Sequence, residues 1–264
     1  MIAMIDEASG QVLARFVEEN STTENLDLLG AYLRRFGRPG RVRTHRMSLF
    51  RGNPRAEDTP AGAELTAGRS QIRRALEELD VEWSPTDLES TPGFASDFFK
   101  TAKRELARRL RATGARTLRE ANRYLDQEYL PAWRHRHAAN VPNAHRPLRA
   151  DHDLDAILSE VETRTVSEAG RVRFYGADYL LPASERLAAI GAQVLLENRR
   201  NGAVYLRTEG GRFPLTQCDP EPRSLTEIKI RKPVSKPRAP RRHNRAWMQN
   251  FFKQPEPPLW RSLK

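Results

Sequence analysis

The chain has 264 residues, of which 38% are hydrophobic and 30% charged, with a formal net charge of +11; this allows one large or two small domains and a packed but not generous core. The single cysteine, Cys218, excludes an intrachain disulfide and a cysteine-built zinc site and points to a reducing compartment. No apolar run approaches the roughly 18 residues of a membrane helix, and the opening MIAMIDEASG lacks the cationic and apolar regions of a signal peptide, so a cytoplasmic location is expected.

The first 19 residues read as two short strands, Met1–Asp6 and Gln11–Glu19, joined through Ser9-Gly10 turn chemistry. Ser21-x-x-Glu24 is a capping box, and Leu26, Leu29, Leu33 and Phe36 then recur at helical spacing until Gly37 and Pro39. Arg41–His45 is a third short strand, and residues 51–68, rich in Gly, Pro and acids, form a loop. Ile72, Leu76 and Leu79 mark a helix over Ser70–Asp80, before a strand at Val81–Trp83 and a loop at Ser84–Gly93. Arg34, Arg35, Arg73 and Arg74 read as ordinary surface charges.

A long basic helix follows from Phe94 to Arg111, ended by Gly114. It carries Lys100, Lys103, Arg104, Arg108, Arg109 and Arg111 against only Asp97 and Glu105. Such a face either neutralises phosphates or is simply solvated. Thr117-x-x-Glu120 caps the next helix, with Leu118, Ala121 and Leu125 facing inward, and Pro131 is expected to bend or end it. His135, His137, His145 and His152 match no zinc spacing, and read as incidental.

Beyond a linker at 136–160 the pattern turns to strands: Val161–Val166, Arg171–Leu181, Gln193–Asn198, Ala203–Thr208 and Phe213–Thr216. Asn201-Gly202 between two of them is a hairpin signal. Five short strands with tight turns suggest a small SH3-like or OB-like barrel over 161–218. The remainder, 219–264, is a basic, Pro-rich tail expected to be extended. From Lys229 onward it holds 11 Lys or Arg, among them Lys229, Arg231, Lys232, Lys236, Arg238, Arg241 and Arg242, against one acid, Glu256. Residues 1–228 are therefore close to neutral. A polycationic tail favours a polyanion, because each phosphate contact releases condensed counterions; the plainer alternative is a solvated tail with no ligand. Trp247, Phe251, Phe252 and Trp260 are apolar enough to dock on a partner surface.

The order strand, strand, helix, strand, helix, strand, long helix, then a small all-β module, resembles the retroviral-integrase superfamily. Residues 1–39, RVRTHRMSLF at 41–50, HRPL at 145–148, RVRFYGADYLLP at 171–182 and the terminal PPLWRSLK resemble DDE-type insertion-sequence transposases of the ISNCY type. The resemblance implies an α/β, RNase H-like integrase core over 1–135, incomplete because its first strand would precede Met1, followed by the small barrel and the tail. It further implies DNA as partner, assembly with itself or with an intact transposase, and association with the bacterial nucleoid.

Strand transfer in that family requires three carboxylates that hold two Mg²⁺ or Mn²⁺ ions about 3.5–4 Å apart. The first acid belongs to the strand expected before Met1. The position of the second is occupied by His45, and imidazole is a poor magnesium ligand. The position of the third is occupied by Ser96, a neutral hydroxyl. Asp97 is one residue away, but one helical step turns its side chain by about 100°. No intact catalytic residue, no bound metal and no cofactor are therefore expected, and the implied function is DNA binding by a disarmed transposase relative. Two alternatives stand beside it: an active DDE transposase with unconventional ligands, and a non-functional gene fragment; a start upstream of Met1 would restore the first acid but not the second or third.

Overall fold

The computed structural model describes residues 1–44, 70–86 and 93–219. The described residues fall within one compact unit, so the segments read as core, linker and β module lie within a single body. The fold is mixed α/β, built from several small sheets.

β1 (Ile2–Ile5) and β2 (Val12–Arg15) form an antiparallel hairpin, with Ile2 opposite Arg15 and Ile5 opposite Val12. α1 (Thr22–Phe36) starts at Ser21, whose hydroxyl accepts from the Glu24 amide at 3.2 Å, and ends at Gly37 with φ +91°. β3 (Arg41–Thr44) pairs in parallel with β4 (Glu82–Pro85), and α2 (Gln71–Glu78) lies between them in the chain, capped by Ser70. Among the described residues, β1 pairs only with β2 and β3 only with β4. Met4 of β1 and Val42 of β3 pack against one cluster formed by Leu26, Leu29 and Leu33 of α1 and Ile72, Ala75 and Leu76 of α2. That cluster joins the two sheets.

α3 (Phe94–Thr113) covers β1 and β2 from the other side. Phe98, Ala102 and Leu106 bury against Val12 and Ala14, with Met1, Ala3 and Ile5 alongside. Gly114 ends the helix in the left-handed conformation, φ +71°. The Thr117/Glu120 capping box starts α4 (Leu118–Tyr124). Leu118 was expected to face inward but is 40% exposed, while Tyr124 and Leu125 are buried. Pro131 does not end the helix: a π-helical turn at Leu125–Tyr129 lies just before it, and the run continues as α5 (Leu130–His137). The continued helix delivers Trp133 to the core, fully buried, edge-on to Phe98 at 5.1 Å and donating to the Gly10 carbonyl at 3.3 Å.

Residues read as a linker are tied down along their length. The Ala139 amide donates to Ser9 O at 2.8 Å, and the Asn143 side chain donates to Phe36 O at 3.1 Å. His145 Nδ1 lies 2.7 Å from Asn143 Oδ1 and its Nε2 lies 2.8 Å from the Tyr32 hydroxyl. With Nδ1–H directed at the Asn143 oxygen, Nε2 accepts from Tyr32. Arg146 forms a β-bridge with Arg38, and Leu148 joins the α1–α2 cluster. His137 serves a different local role, stacking on Trp133 at 3.9 Å.

Arg149 and Arg38 both pair with Asp80, and their hydrogen bonds hold its carboxyl below its ordinary value of 3.8. A depressed carboxylate contributes stability above its unfolded pKa that is lost as pH falls through the lower folded value. Asp80→Asn should therefore lower stability at neutral pH and flatten its decline below about pH 4, as read by denaturant unfolding at a series of pH values; an acid limb as steep as that of the wild type would refute the assignment.

Four strands form one antiparallel sheet in the order β10-β9-β8-β5: β5 (Glu160–Thr165), β8 (Gln193–Asn198), β9 (Val204–Thr208) and β10 (Gly211–Pro214). Three form a second, β11-β7-β6: β6 (Arg171–Phe174), β7 (Ala177–Leu180) and β11 (Thr216–Cys218). They enclose Val172, Phe174, Leu181, Leu196 and Leu206. The expected barrel is therefore not closed: two sheets face one core. Two turns explain the difference. Arg171–Leu181 is a hairpin folded at Tyr175-Gly176, both with positive φ, and the chain changes sheets at Leu215. A short helix at Ala183–Ala189, not anticipated from the sequence, follows β7. The Asn201-Gly202 hairpin joins β8 to β9 as expected.

Candidate nucleic-acid interface

With about 100° between successive helical residues, Lys100, Lys103, Arg104, Arg108 and Arg111 fall within one arc of roughly 140° on α3. Phe98, Ala102 and Leu106 occupy the opposite side and anchor it to the β1–β2 hairpin. All five basic residues are exposed. Lys100, Lys103, Arg108 and Arg111 make no ion pair among the described residues, and Arg104 has only a 3.4 Å contact with its neighbour Glu105. Arg109 stands apart from this set. It pairs with Glu105 at 3.0 Å, and its hydrogen bond to Tyr124 raises its pKa. Arg109 is thus engaged by Glu105 and Tyr124 and is only partly exposed. Glu105, held below the ordinary carboxylate range by Arg104 and Arg109 despite its desolvation, completes that arrangement.

Arg116, Arg119 and Arg123 extend the exposed positive charge beyond Gly114. Sequence reasoning passed over these three because they lie outside the long helix, although the density of arginine from 104 to 123 was the available signal. Lys229, Arg231, Lys232, Lys236, Arg238, Arg241 and Arg242 lie outside the described residues, as do His45 and the tail aromatics. Of the earlier surface arginines, Arg34 and Arg35 are exposed, but Arg74 is only 4% exposed and belongs to the interior.

The start of α3 is built by a residue with no obvious sequence signal. Gly93, at φ +156°, has no side chain to cap the helix, and Glu7 from the β1–β2 turn does so instead, accepting from the Phe94 and Ala95 amides at 3.0 Å each. A Cβ at Gly93 would approach Glu7 Oε2 to 2.6 Å, so glycine is required for this cap. Glu7→Ala should destabilise the fold by about 1 kcal/mol through loss of the cap. Chemical denaturation measures this, and an unchanged midpoint would contradict it.

Ser96 lies in the first turn of α3, 6% exposed, and its hydroxyl has no hydrogen-bond partner. Asp97 beside it is exposed. Thr44, at the end of β3, accepts a hydrogen bond from Trp83 Nε1 at 2.9 Å. Among the described residues, no three His, Cys, Asp or Glu side chains are grouped to share a metal ion. No helix among them is long and apolar enough to cross a membrane.

No protein-family model and no curated protein matches the chain. The chemistry of the exposed face therefore rests on its residues: a row of unpaired cations on a rigid helix, spaced along its axis by about 1.5 Å per residue. It can neutralise a succession of phosphates without reading base sequence.

Proposed function

We propose that the chain is a DNA-binding relative of DDE-type insertion-sequence transposases, with an RNase H-like core and no strand-transfer activity. The unpaired basic arc of α3 carries this reading. Four of its five cations have no internal role, and a helix anchored along its apolar face holds them in register for a polyanion. The arrangement of β1–β2 and β3–β4 as two separate pairs covered by α1 and α2 supports the proposed core. In the resembled family, one further strand lies between these pairs.

The donor set does not fit a pair of divalent ions. Ser96 offers a buried neutral hydroxyl where an anionic ligand is required, and both oxygens of Glu7 are committed to the α3 cap. Strand-transfer assays with Mg²⁺ and with Mn²⁺ should give no product, while duplex DNA is bound with strong salt dependence. Product formation abolished by His45→Ala or Ser96→Ala would overturn the proposal. Family members act as multimers, so the proposal extends to a mixed assembly with an intact transposase; unchanged transposition on co-expression would remove that extension.

A further inference from the structure

A cavity of about 360 Å³ opens between the first turns of α1 and the β module, within the roughly 300–1,000 Å³ range of small-molecule sites. Its apolar side is Leu26 and Leu158, both buried. Its polar side holds Glu160 and Arg200, and at its margin stands Tyr175, 58% exposed. It is separate from the basic face of α3.

Tyr175 occupies the first turn position of the β6–β7 hairpin at φ +47°, a conformation that favours Gly or Asn and is unusual for a bulky aromatic. Its hydroxyl donates to Glu160 at 2.7 Å, and its ring meets Phe174 edge-on at 4.6 Å. Desolvation and Glu160 push its pKa up to about 12, so it keeps its proton as a donor. The outcome is an exposed aromatic ring fixed in orientation. Left-handed backbone at a non-glycine residue is a recurrent feature of binding sites.

Glu160 receives hydroxyl donors from Thr23 and Tyr175, one on each oxygen, and has no cationic partner among the described residues. A carboxylate has about four acceptor sites, so each oxygen can still accept one hydrogen bond. Arg200 spends one nitrogen on Asp27 and retains further N–H donors. A complementary ligand presents two adjacent donors to Glu160, acceptors to Arg200, and a flat π-face to Tyr175.

We infer that this cavity binds an unpaired guanine base. Guanine alone among the bases has two adjacent N–H donors, N1–H and the N2 amino group, on its pairing edge. Its O6 and N7 are the acceptors for arginine. Adenine and cytosine each place a ring-nitrogen acceptor beside their amino group, and thymine flanks its single N–H with two carbonyls; each turns a lone pair toward the carboxylate. The pairing edge is free only in an unstacked, unpaired base, and stacking on an aromatic ring is the usual way such bases are held.

The test uses the full chain with four probes: dGMP, dAMP, a nine-nucleotide thymidine strand, and the same strand with guanine at its centre. Fluorescence or calorimetric titration should show preference for the guanine probe by about tenfold or more within at least one pair. Preference within the strands alone identifies a base in a nucleic acid, and preference for dGMP over dAMP alone identifies a free nucleotide. Glu160→Gln, which retains shape but loses the paired acceptors, should abolish the preference. Tyr175→Gly, which suits the turn and so keeps the fold, should weaken guanine binding by about tenfold. Equal binding of guanine and non-guanine probes in both pairs, or preference unchanged in Glu160→Gln, overturns the inference. Salt-dependent duplex binding is measured alongside; its persistence in Glu160→Gln separates a failure here from a failure of the α3 interface.

Discussion

Replacing Lys100, Lys103, Arg104, Arg108 and Arg111 together by Gln should weaken duplex DNA binding on the order of a thousandfold at about 50 mM salt. It should also reduce the slope of log Kobs against log salt by about 4 to 5, since each phosphate contact contributes about 0.9. The five side chains are exposed and lie on the arc opposite Phe98, Ala102 and Leu106, so neutralising them removes charge without touching the core. The thermal midpoint should move little, because surface substitutions of this kind usually lie within about 0.5 kcal/mol each. Fluorescence anisotropy across a salt series measures both quantities. Arg109→Gln provides the internal contrast: it breaks the link to Glu105 and Tyr124, and should lower stability more than DNA affinity. If the fivefold variant binds with an unchanged salt slope, α3 is not the interface.

The largest effect on stability is expected at Arg74. Its guanidinium pairs with Glu78 at 2.7 Å and donates to the Ile157 and Ser159 carbonyls at 3.1 and 2.7 Å. Burial lowers its pKa, opposed by Glu78, but the group remains charged. Glu78 in turn meets Arg207 of β9 at 3.0 Å, and Arg212 of β10 joins it to Glu197, which is 0% exposed and whose carboxyl burial pushes up. Gln71 exchanges two hydrogen bonds with the backbone of Val161 nearby. α2 is thereby locked to the start and centre of the β module. Arg74→Met fills similar volume but leaves the Ile157 and Ser159 carbonyls without this donor and Glu78 with Arg207 as its remaining close cation. Removing one partner of a buried pair costs about 3–5 kcal/mol, equivalent to a thermal midpoint lower by roughly 6–15 °C for a body of this size. Scanning calorimetry reads the shift. A loss below about 1 kcal/mol would mean that the network contributes nothing beyond a surface pair.

Elements governed by near neighbours were legible in the chain itself. Ser21 and Glu24 begin α1, Thr117 and Glu120 begin α4, Gly114 ends α3, and Asn201-Gly202 turns β8 into β9. In each case the deciding groups lie within a few residues of one another. The apolar spacing of Leu26, Leu29 and Leu33 likewise announced the buried side of α1. Gly176 punctuates RVRFYGADYLL, but a single glycine beside a tyrosine is a weak signal for a full reversal, so Arg171–Leu181 reads as one strand where the structure has a hairpin. Leu118 was misplaced because a helix start exposes one side of its first turn whatever its hydropathy.

The candidate interface was visible as charge, but its selection was not. The long helix carries six basic residues, and Arg109 leaves the exposed set because it pairs with Glu105 on its own helix and meets Tyr124 of α4. The Glu160–Tyr175 cavity had no linear signature, because its walls come from α1, β5, the β6–β7 turn and the β8–β9 turn.

By itself the sequence determined where α1, α2 and α3 begin and stop, which side of each is apolar, and that the module after about 160 is β-rich. These properties follow from backbone conformational preference and hydrogen bonds closed over a few residues. Tertiary structure alone decided that Arg74 is interior, that Glu7 caps a helix 87 positions away, and that the β module forms two facing sheets without closing into a barrel. Each depends on a partner distant in the chain. A charge acquires its role from the field and solvent access that such partners create, and residue identity alone carries neither.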